Sequence, residues 1–239
     1  MKNEINYALG LDIGITSVGW SVINLDVNRI EDLGVRIFNA AENPKDGASL
    51  ALPRRTARGR RRLLRRKAYR INRVKNLILE REILSKDELD TLFTNKEVIS
   101  VWEARIKGLD QQLSGKEWSK ILINLCKRRG FKSNRKNESK DKEAGQIISS
   151  INNNIEKMKE ANARTVGEFI YNEVMNSEDK YRPLRNKFGE YNMCVSRNMI
   201  REEIHMLFEK QREFGSEFAT DEIEDDYLNI FNSQRPYAN

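Results

Sequence analysis

Cysteine and long apolar runs are scarce in this sequence. Its 239 residues include only Cys126 and Cys194, which lie far apart and form no C-x-x-C pattern of a zinc or redox site. No stretch approaches the roughly 18 apolar residues of a membrane span, and the amino terminus lacks a basic region followed by an apolar one. These absences predict a soluble protein of a reducing cytoplasm, with no membrane partner.

Acidic residues are missing from one particular segment. Between Pro53 and Lys75 the chain has ten Arg, two Lys and no Asp or Glu, which gives that segment a charge of +12. The whole chain carries +7, so the remaining residues carry −5. Such a concentration of positive charge indicates contact with a polyanion rather than a diffusely basic surface.

The pattern of apolar residues predicts a mainly α protein with a small β unit. "YALGLDI", "SVGWSVINLD" and "IEDLGVRIF" are rich in β-branched and aromatic residues and predict three consecutive antiparallel strands. "NAAENPKDGASLALP" then marks a linker, after which the chain reads as helix. We predict three regions: a β segment with linker at 1–52, a basic helix at 53–82 and a helical region at 83–239. Three strands alone leave one face and both edges of the sheet exposed, so other sequence is expected to complete it.

Helix boundaries are marked by short local signals. Ser85 with Glu88, Ser114 with Glu117, and Thr165 with Glu168 match the S/T-x-x-E capping box at a helix start. Gly130 and Gly215 follow apolar-periodic runs, at positions where helices end on a left-handed residue.

The segment "PRRTARGRRRLLRRKAYRINRVKNLIL" separates into two faces when it is placed on a helical wheel. The apolar face carries Leu63, Leu64, Ile71, Val74 and Ile78. Arg predominates over Lys, and the guanidinium fork suits bidentate contact with phosphate. The alternative is a solvated helix, or one whose charges pair with acids elsewhere in the chain. From this helix we predict the nucleic-acid-binding residues Arg54, Arg55, Arg58, Arg61, Arg62, Arg65, Arg66, Arg70 and Arg73.

A second basic cluster, "KRRGFKSNRK", extends from Lys127 to Lys136. An aromatic residue among cations suits RNA or single-strand binding through stacking and phosphate contact. Basic residues at a helix carboxyl end also interact favourably with the helix dipole, which is an alternative for Lys127 to Arg129. The predicted binding residues here are Arg128, Arg129, Phe131, Lys132, Arg135 and Lys136.

Five segments resemble, in order, the type II CRISPR effector nucleases, which are RNA-guided DNA-cutting enzymes. "GLDIGITSVGW" is similar to the first motif of RuvC-like nucleases, although it also resembles the phosphate-binding opening of sugar kinases and chaperone ATPases. The arginine-rich segment that follows resembles the bridge helix of the CRISPR effectors. "LINLCKRRGFKSNRK", "VSRNMIREEIHMLFEKQREFG" and "IFNSQRP" resemble parts of the recognition lobe in smaller, type II-C-like members.

This resemblance implies an amino-terminal portion of such an endonuclease: an incomplete RNase H-like (RuvC) sheet, a bridge helix and an α-helical recognition lobe. It implies that Asp12 is the first catalytic acid and a ligand of Mg²⁺, with the other acids and a histidine supplied by later segments. One carboxylate cannot build such a site, because magnesium takes several oxygen ligands. His205, which is the only histidine, is expected to pack or lie at the surface.

The implied partners are guide RNA (crRNA and tracrRNA), target DNA and the remainder of the effector chain. The chain alone is expected to be inactive. Three other hypotheses stay open at this point. One is a metal nuclease whose Asp12 sites are completed in trans by a second copy, and another is an ATPase of the sugar-kinase superfold. The last is a docking surface for a protein inhibitor, which would carry acidic groups.

Overall fold

The computed structural model describes residues 6–94, 99–132, 142–175 and 193–233. It forms two units, Met1–Leu64 and Arg65–Asn239. The strands are β1 (Tyr7–Ile13), β2 (Ser17–Asn24) and β3 (Arg29–Ile37). The helices are α1 (Leu52–Glu80), α2 (Lys86–Thr91), α3 (Val101–Asp110), α4 (Gly115–Lys127), α5 (Lys142–Glu160), α6 (Val166–Ile170, continued by a π-helical turn over Tyr171–Met175), α7 (Arg197–Glu213) and α8 (Asp221–Asn232). The predicted mainly α fold with a small β unit is confirmed.

The first unit contains the three strands in the order β1-β2-β3, all antiparallel as predicted. Trp20 lies directly opposite Gly34, and a Cβ at Gly34 would approach the indole ring to 2.7 Å. A glycine is therefore needed where the ring crosses β3. The pairing shifts by one residue between Val22 and Ile23, which marks a bulge in the β2–β3 ladder.

Both faces of the sheet expose apolar side chains within this unit. Leu9, Leu11 and Ile13 alternate along one face of β1, with 57%, 60% and 75% of their surface exposed. Leu33 and Val35 of β3 point to the opposite face and are also exposed. Both faces therefore carry apolar surface of the kind that further strands or helices normally cover.

Ser or Thr residues cap the starts of six helices in the second unit. Ser85 and Ser114 form the predicted capping boxes with Glu88 and Glu117. Thr165 caps α6 by accepting a hydrogen bond from the Glu168 N–H. The Glu168 carboxylate accepts from the Arg164 N–H and not from the Thr165 N–H, so the predicted capping box at Thr165 is incomplete. Further helix starts, not predicted from the sequence, are capped by Ser100, Ser196 and Thr220.

Aromatic side chains from three helices form the centre of the second unit. The rings of Trp118 and Phe208 meet edge to face with centroids 4.8 Å apart, and Phe208, Tyr227 and Phe231 continue the row. Their polar atoms are satisfied: the Tyr227 hydroxyl donates to the Leu122 carbonyl at 2.8 Å, and Trp118 Nε1 donates to the Phe218 carbonyl at 3.1 Å. Val74, Leu77 and Ile78 anchor the second half of α1 in this core. Among the helices in the described ranges, none is long and apolar enough to cross a membrane.

A buried ion pair connects α3 to α7. Arg105 Nε and Nη2 each donate to a Glu203 carboxylate oxygen at 2.6 Å, and the Gly167 N–H donates to the same carboxylate at 3.1 Å. The side chains of Arg105 and Glu203 are 3% and 0% exposed. A Cβ at Gly167 would lie 2.6 Å from Arg105 Nε, so α6 approaches this pair at a glycine.

We predict that Glu203→Gln lowers the free energy of unfolding by about 3–5 kcal/mol, because it leaves the Arg105 guanidinium buried without a counter-charge. Urea denaturation followed by circular dichroism measures the loss. The matched control is Asp110→Asn, which breaks the exposed Arg164–Asp110 pair and should cost no more than about 1 kcal/mol. Equal losses in the two variants would contradict the structural role assigned to the buried pair.

Candidate nucleic-acid interface

The first half of α1 presents its arginines to solvent. Arg54, Arg55, Arg58, Arg61 and Arg62 are exposed in the first unit, and Arg65 is exposed at the start of the second. Within the part of the chain that the structure describes, none of these six forms an ion pair. The first turn of α1 contains no acid. These side chains are therefore available to an external anion.

The second half of α1 is half-buried. Arg66, Arg70 and Arg73 are each partly covered by the second unit. Arg73 lies 5.9 Å from the centroid of the Tyr69 ring, and it lines a cleft of about 350 Å³ together with Glu80 and Asp226. The surroundings of Arg73 thus include carboxylates, unlike those of the exposed arginines.

The apolar face predicted for this helix is realised in part. Val74 and Ile78 are fully buried and Ile71 is partly buried against the core, as predicted. Leu63 and Leu64, by contrast, are 66% and 68% exposed, because the first unit places no core beneath them. The amphipathic interpretation therefore describes the carboxyl half of α1 and does not describe the amino half.

The second basic cluster lies where α4 ends. Arg128 stacks 5.9 Å from the centroid of the Trp102 ring, and Lys132 is exposed. Phe131 packs against the hydrophobic core, with its side chain half-buried. The nucleic-acid contacts predicted for these residues stay predictions, and Arg135 and Lys136 lie outside the described residues.

A short backbone bridge holds this cluster against the start of α7. The Phe131 N–H donates to the Val195 carbonyl and the Arg197 N–H donates to the Phe131 carbonyl, both at 2.8 Å. Gly130 has a φ of +74°, as expected for a left-handed residue, and a Cβ there would lie 2.5 Å from the Ser196 carbonyl oxygen. Gly130 is thus needed for close approach to the neighbouring segment as well as for its backbone conformation.

Three guanidinium groups interact around this bridge. Burial, together with repulsion from Arg70 and Arg197, lowers the pKa of Arg129 to about 10. Burial and repulsion from Arg70 also lower the pKa of Arg197. The sequence prediction missed Arg197, although an arginine in the first turn of a helix, where an acid is favoured, was an available signal.

Asp12, the predicted catalytic acid, is exposed on β1 beside small residues. It pairs with Gly19 across the β1–β2 ladder, and Gly10 precedes it on the same face. This leaves room for a ligand on that face. However, within the described ranges no three His, Cys, Asp or Glu side chains come close enough to hold a metal ion. The described residues therefore do not fit a magnesium site by themselves.

His205 lies at the surface of α7, which is one of the two locations expected for it, the other being the core. Its Nδ1 is 2.5 Å from Glu224 Oε1, and its side chain is 54% exposed. Glu224 also accepts from Arg212 Nη1 at 2.7 Å. The histidine thus belongs to a charged network between α7 and α8.

No protein-family model matches the chain. Known relatives are nevertheless clear. The Cas9 endonuclease of Campylobacter jejuni is 36% identical over 232 residues, which cover 93% of this chain and 23% of the relative. A Cas9 endonuclease of Streptococcus thermophilus is 30% identical over 96% of this chain and 20% of the relative. The chain thus spans between a fifth and a quarter of the length of these relatives.

Solved structures give the same result. Campylobacter jejuni Cas9 in complex with sgRNA and target DNA superposes with a TM-score of 0.66 and 32% identity, covering 98% of this chain and 30% of that one. St1Cas9, in an assembly with sgRNA, target DNA and AcrIIA6, gives a TM-score of 0.60 and 27% identity, covering 97% of this chain and 26% of that one. The family predicted from five sequence segments is confirmed by both comparisons, and the chain belongs to the Cas9 family of CRISPR-associated endonucleases.

Proposed function

We propose that this chain is the guide-RNA-binding portion of a Cas9-type RNA-guided DNA endonuclease. The observation that carries the proposal is that the six predicted arginines between Arg54 and Arg65 are all exposed, and that none of them forms an ion pair within the described part of the chain. Similarity to Cas9 proteins solved with sgRNA and target DNA supports a nucleic acid as the anion. In this role α1 is the bridge helix and the helices after it form the recognition lobe.

Binding follows from the chemistry of the guanidinium group. Its planar fork donates two parallel N–H bonds to a phosphate, which fixes orientation as well as charge. Neutralising each phosphate releases condensed counterions, so affinity should fall steeply with salt. These contacts hold guide nucleotides ready for pairing, while base pairing reads the target sequence.

The cluster that begins at Lys127 serves as a second contact. Lys132 is exposed and Arg128 stacks on Trp102, so cations extend beyond the end of α4. We assign this cluster to the repeat-derived RNA duplex or to the guide–target heteroduplex. Both are A-form helices, which proteins recognise mainly through backbone and shape.

The proposed role of Asp12 is one acid of a RuvC-like site that hydrolyses a phosphodiester with Mg²⁺. Because magnesium needs several oxygen ligands, the other ligands must come from the remainder of the effector chain. The exposed apolar faces of β1 and β3 support the same arrangement, since further strands or helices would cover them. The proposed setting is the bacterial cytoplasm. The AcrIIA6 protein in the St1Cas9 assembly supports a protein inhibitor as a further partner.

Changing Arg58, Arg62 and Arg65 together to Ala should weaken guide-RNA binding by at least about a hundredfold at low salt, because charge-assisted contacts are worth roughly 1.5–3 kcal/mol each. The salt dependence should also become shallower. The slope of the logarithm of affinity against the logarithm of salt concentration should fall in magnitude by about 2, since each single-stranded phosphate contact contributes roughly 0.7. Fluorescence anisotropy with labelled guide RNA at several salt concentrations measures both quantities.

The matched control changes Lys86, Lys157 and Lys159 to Ala, which removes the same charge from exposed positions on α2 and α5. This variant should keep at least a third of the wild-type affinity for guide RNA. The slope of its affinity against salt concentration should stay close to that of the wild type. If both triple variants lose affinity equally, binding depends only on net charge and the assignment of α1 is wrong.

The 239-residue chain with Mg²⁺ should not cleave single-stranded or nicked DNA, because Asp12 is the one acid on the face of β1 that carries it. A gel assay with fluorescent DNA compares wild type with Asp12→Ala. Cleavage that Asp12→Ala abolishes would instead support a site completed in trans by a second copy.

A further inference from the structure

A cleft of about 350 Å³ lies between the carboxyl half of α1 and helix α8. Leu77 and Ile230 are buried and give it an apolar surface. The α1 side chains that line it are spaced three or four residues apart, so they share one face of that helix. The polar side chains of the lining are Arg73, Asn76, Glu80, Asp226 and Asn229.

Most of this polar lining makes no bond of its own. Within the described residues, the side chains of Arg73, Asn76, Glu80 and Asn229 form no hydrogen bond or ion pair. Asp226 is engaged through one oxygen, since its Oδ2 accepts from Arg81 Nη2 at 2.7 Å. The cleft therefore offers both donors and acceptors of hydrogen bonds to a bound molecule.

The charges of the cleft disfavour a phosphate and suit a neutral polar ligand. One guanidinium, that of Arg73, stands with the two carboxylates of Glu80 and Asp226, which would repel a phosphate. A nucleobase carries no charge, has apolar faces and has donors and acceptors at its edges. Unpaired RNA bases are recognised through such edges and by stacking on aromatic rings or guanidinium planes.

A stacking surface lies one turn before the cleft. The Tyr69 side chain is 49% exposed, and the Arg73 guanidinium carbon lies 5.9 Å from the centroid of its ring. The exposed Arg65 is a further turn back, about 6 Å along the helix axis. A phosphate bound at Arg65 would therefore bring a neighbouring base within reach of Tyr69 and the cleft.

Guanine is the RNA base whose edge matches a free carboxylate. Its N1–H and N2–H are adjacent donors, and the two oxygens of one carboxylate can accept both in parallel. Glu80 has both oxygens open within the described residues, unlike Asp226. Guanine O6 is an acceptor that an arginine such as Arg73 can satisfy.

We propose that this cleft binds one unpaired guanine base of the RNA strand that follows α1, and we name it the guanine cleft. Glu80 accepts from guanine N1–H and N2–H, Arg73 donates to O6, and Tyr69 stacks on the base. The inference rests on the proposed function, because the RNA reaches the cleft along α1. It adds the reading of a base to phosphate contacts, which carry no sequence information.

The test uses labelled oligouridines of about ten nucleotides, a length within the site size of single-strand binding proteins. Each carries one guanosine, inosine or adenosine at its centre. The guanosine probe should bind the chain about tenfold more tightly than the adenosine probe, as one bidentate base contact allows. Inosine lacks the 2-amino group and should lose most of that gain. Fluorescence anisotropy measures all three affinities.

Glu80→Gln should remove the preference for guanosine, and adenosine should then bind at least as well, because an amide pairs with adenine through one donor and one acceptor. The matched control is Glu82→Gln, which makes the same change of charge at an exposed residue that does not line the cleft. It should keep the preference. A preference for guanosine that survives in Glu80→Gln would overturn the proposal.

A soluble nucleotide is the other source of a guanine base. Guanosine monophosphate should bind at least about a hundredfold more weakly than the guanosine probe, because it lacks the phosphate contacts along α1 that supply most of the affinity. Equal affinity would assign the cleft to a free nucleotide and overturn the proposal for RNA.

Failure of the proposed function gives a different pattern. If the Arg58, Arg62 and Arg65 variant binds guide RNA as wild type does, the assignment of α1 is wrong and the guanine cleft fails with it. If that variant loses binding while wild type binds the guanosine, inosine and adenosine probes equally well, the proposed function stands and the guanine cleft alone is overturned.

Discussion

Positive charge without neighbouring acids dominates the surroundings that α1 requires. Ten arginines and two lysines stand between Pro53 and Lys75 without one acid among them. Like charges one turn apart destabilise a helix, so α1 needs stabilisation from outside itself. Its carboxyl half obtains that from the core, through Val74, Leu77 and Ile78. Its amino half has exposed leucines beside exposed arginines, and in the proposed function a bound RNA supplies the negative charge.

Several acids of the second unit pair with arginines outside the predicted binding set. In α8, Asp226 accepts from Arg81 and Glu224 accepts from Arg212, so the carboxylates of that helix pair with arginines outside the predicted binding set. Glu203 is buried with Arg105. This separation leaves the exposed arginines of α1 without ion pairs in the described residues. The arginines thus divide into those that pair within the structure and those available to an external anion.

Local signals in the sequence were sufficient for part of the local structure. The strands, the caps at Ser85 and Ser114 and the core face of α1 near Val74 follow from periodicity and hydrogen-bonding chemistry, and the structure agrees. Contacts between distant segments were not predictable in this way. Arg197 lies near Arg129 because the backbone bridge at Phe131 forms between two distant segments. Arg105 is buried because it pairs with Glu203, which is also distant in sequence. Leu63 and Leu64 were predicted on the apolar face but are exposed, because a helical wheel gives the face of a residue and not the position along the helix at which the core ends.

We propose that RNA is the missing counter-charge of α1, and hydrogen–deuterium exchange tests this role most directly. Amides in residues 52–64 should exchange rapidly in the free chain and slow by at least about tenfold when guide RNA binds. Amides near Val74 and Ile78, which the core already protects, should change little. Equal exchange of residues 52–64 with and without guide RNA would show that RNA does not supply this counter-charge.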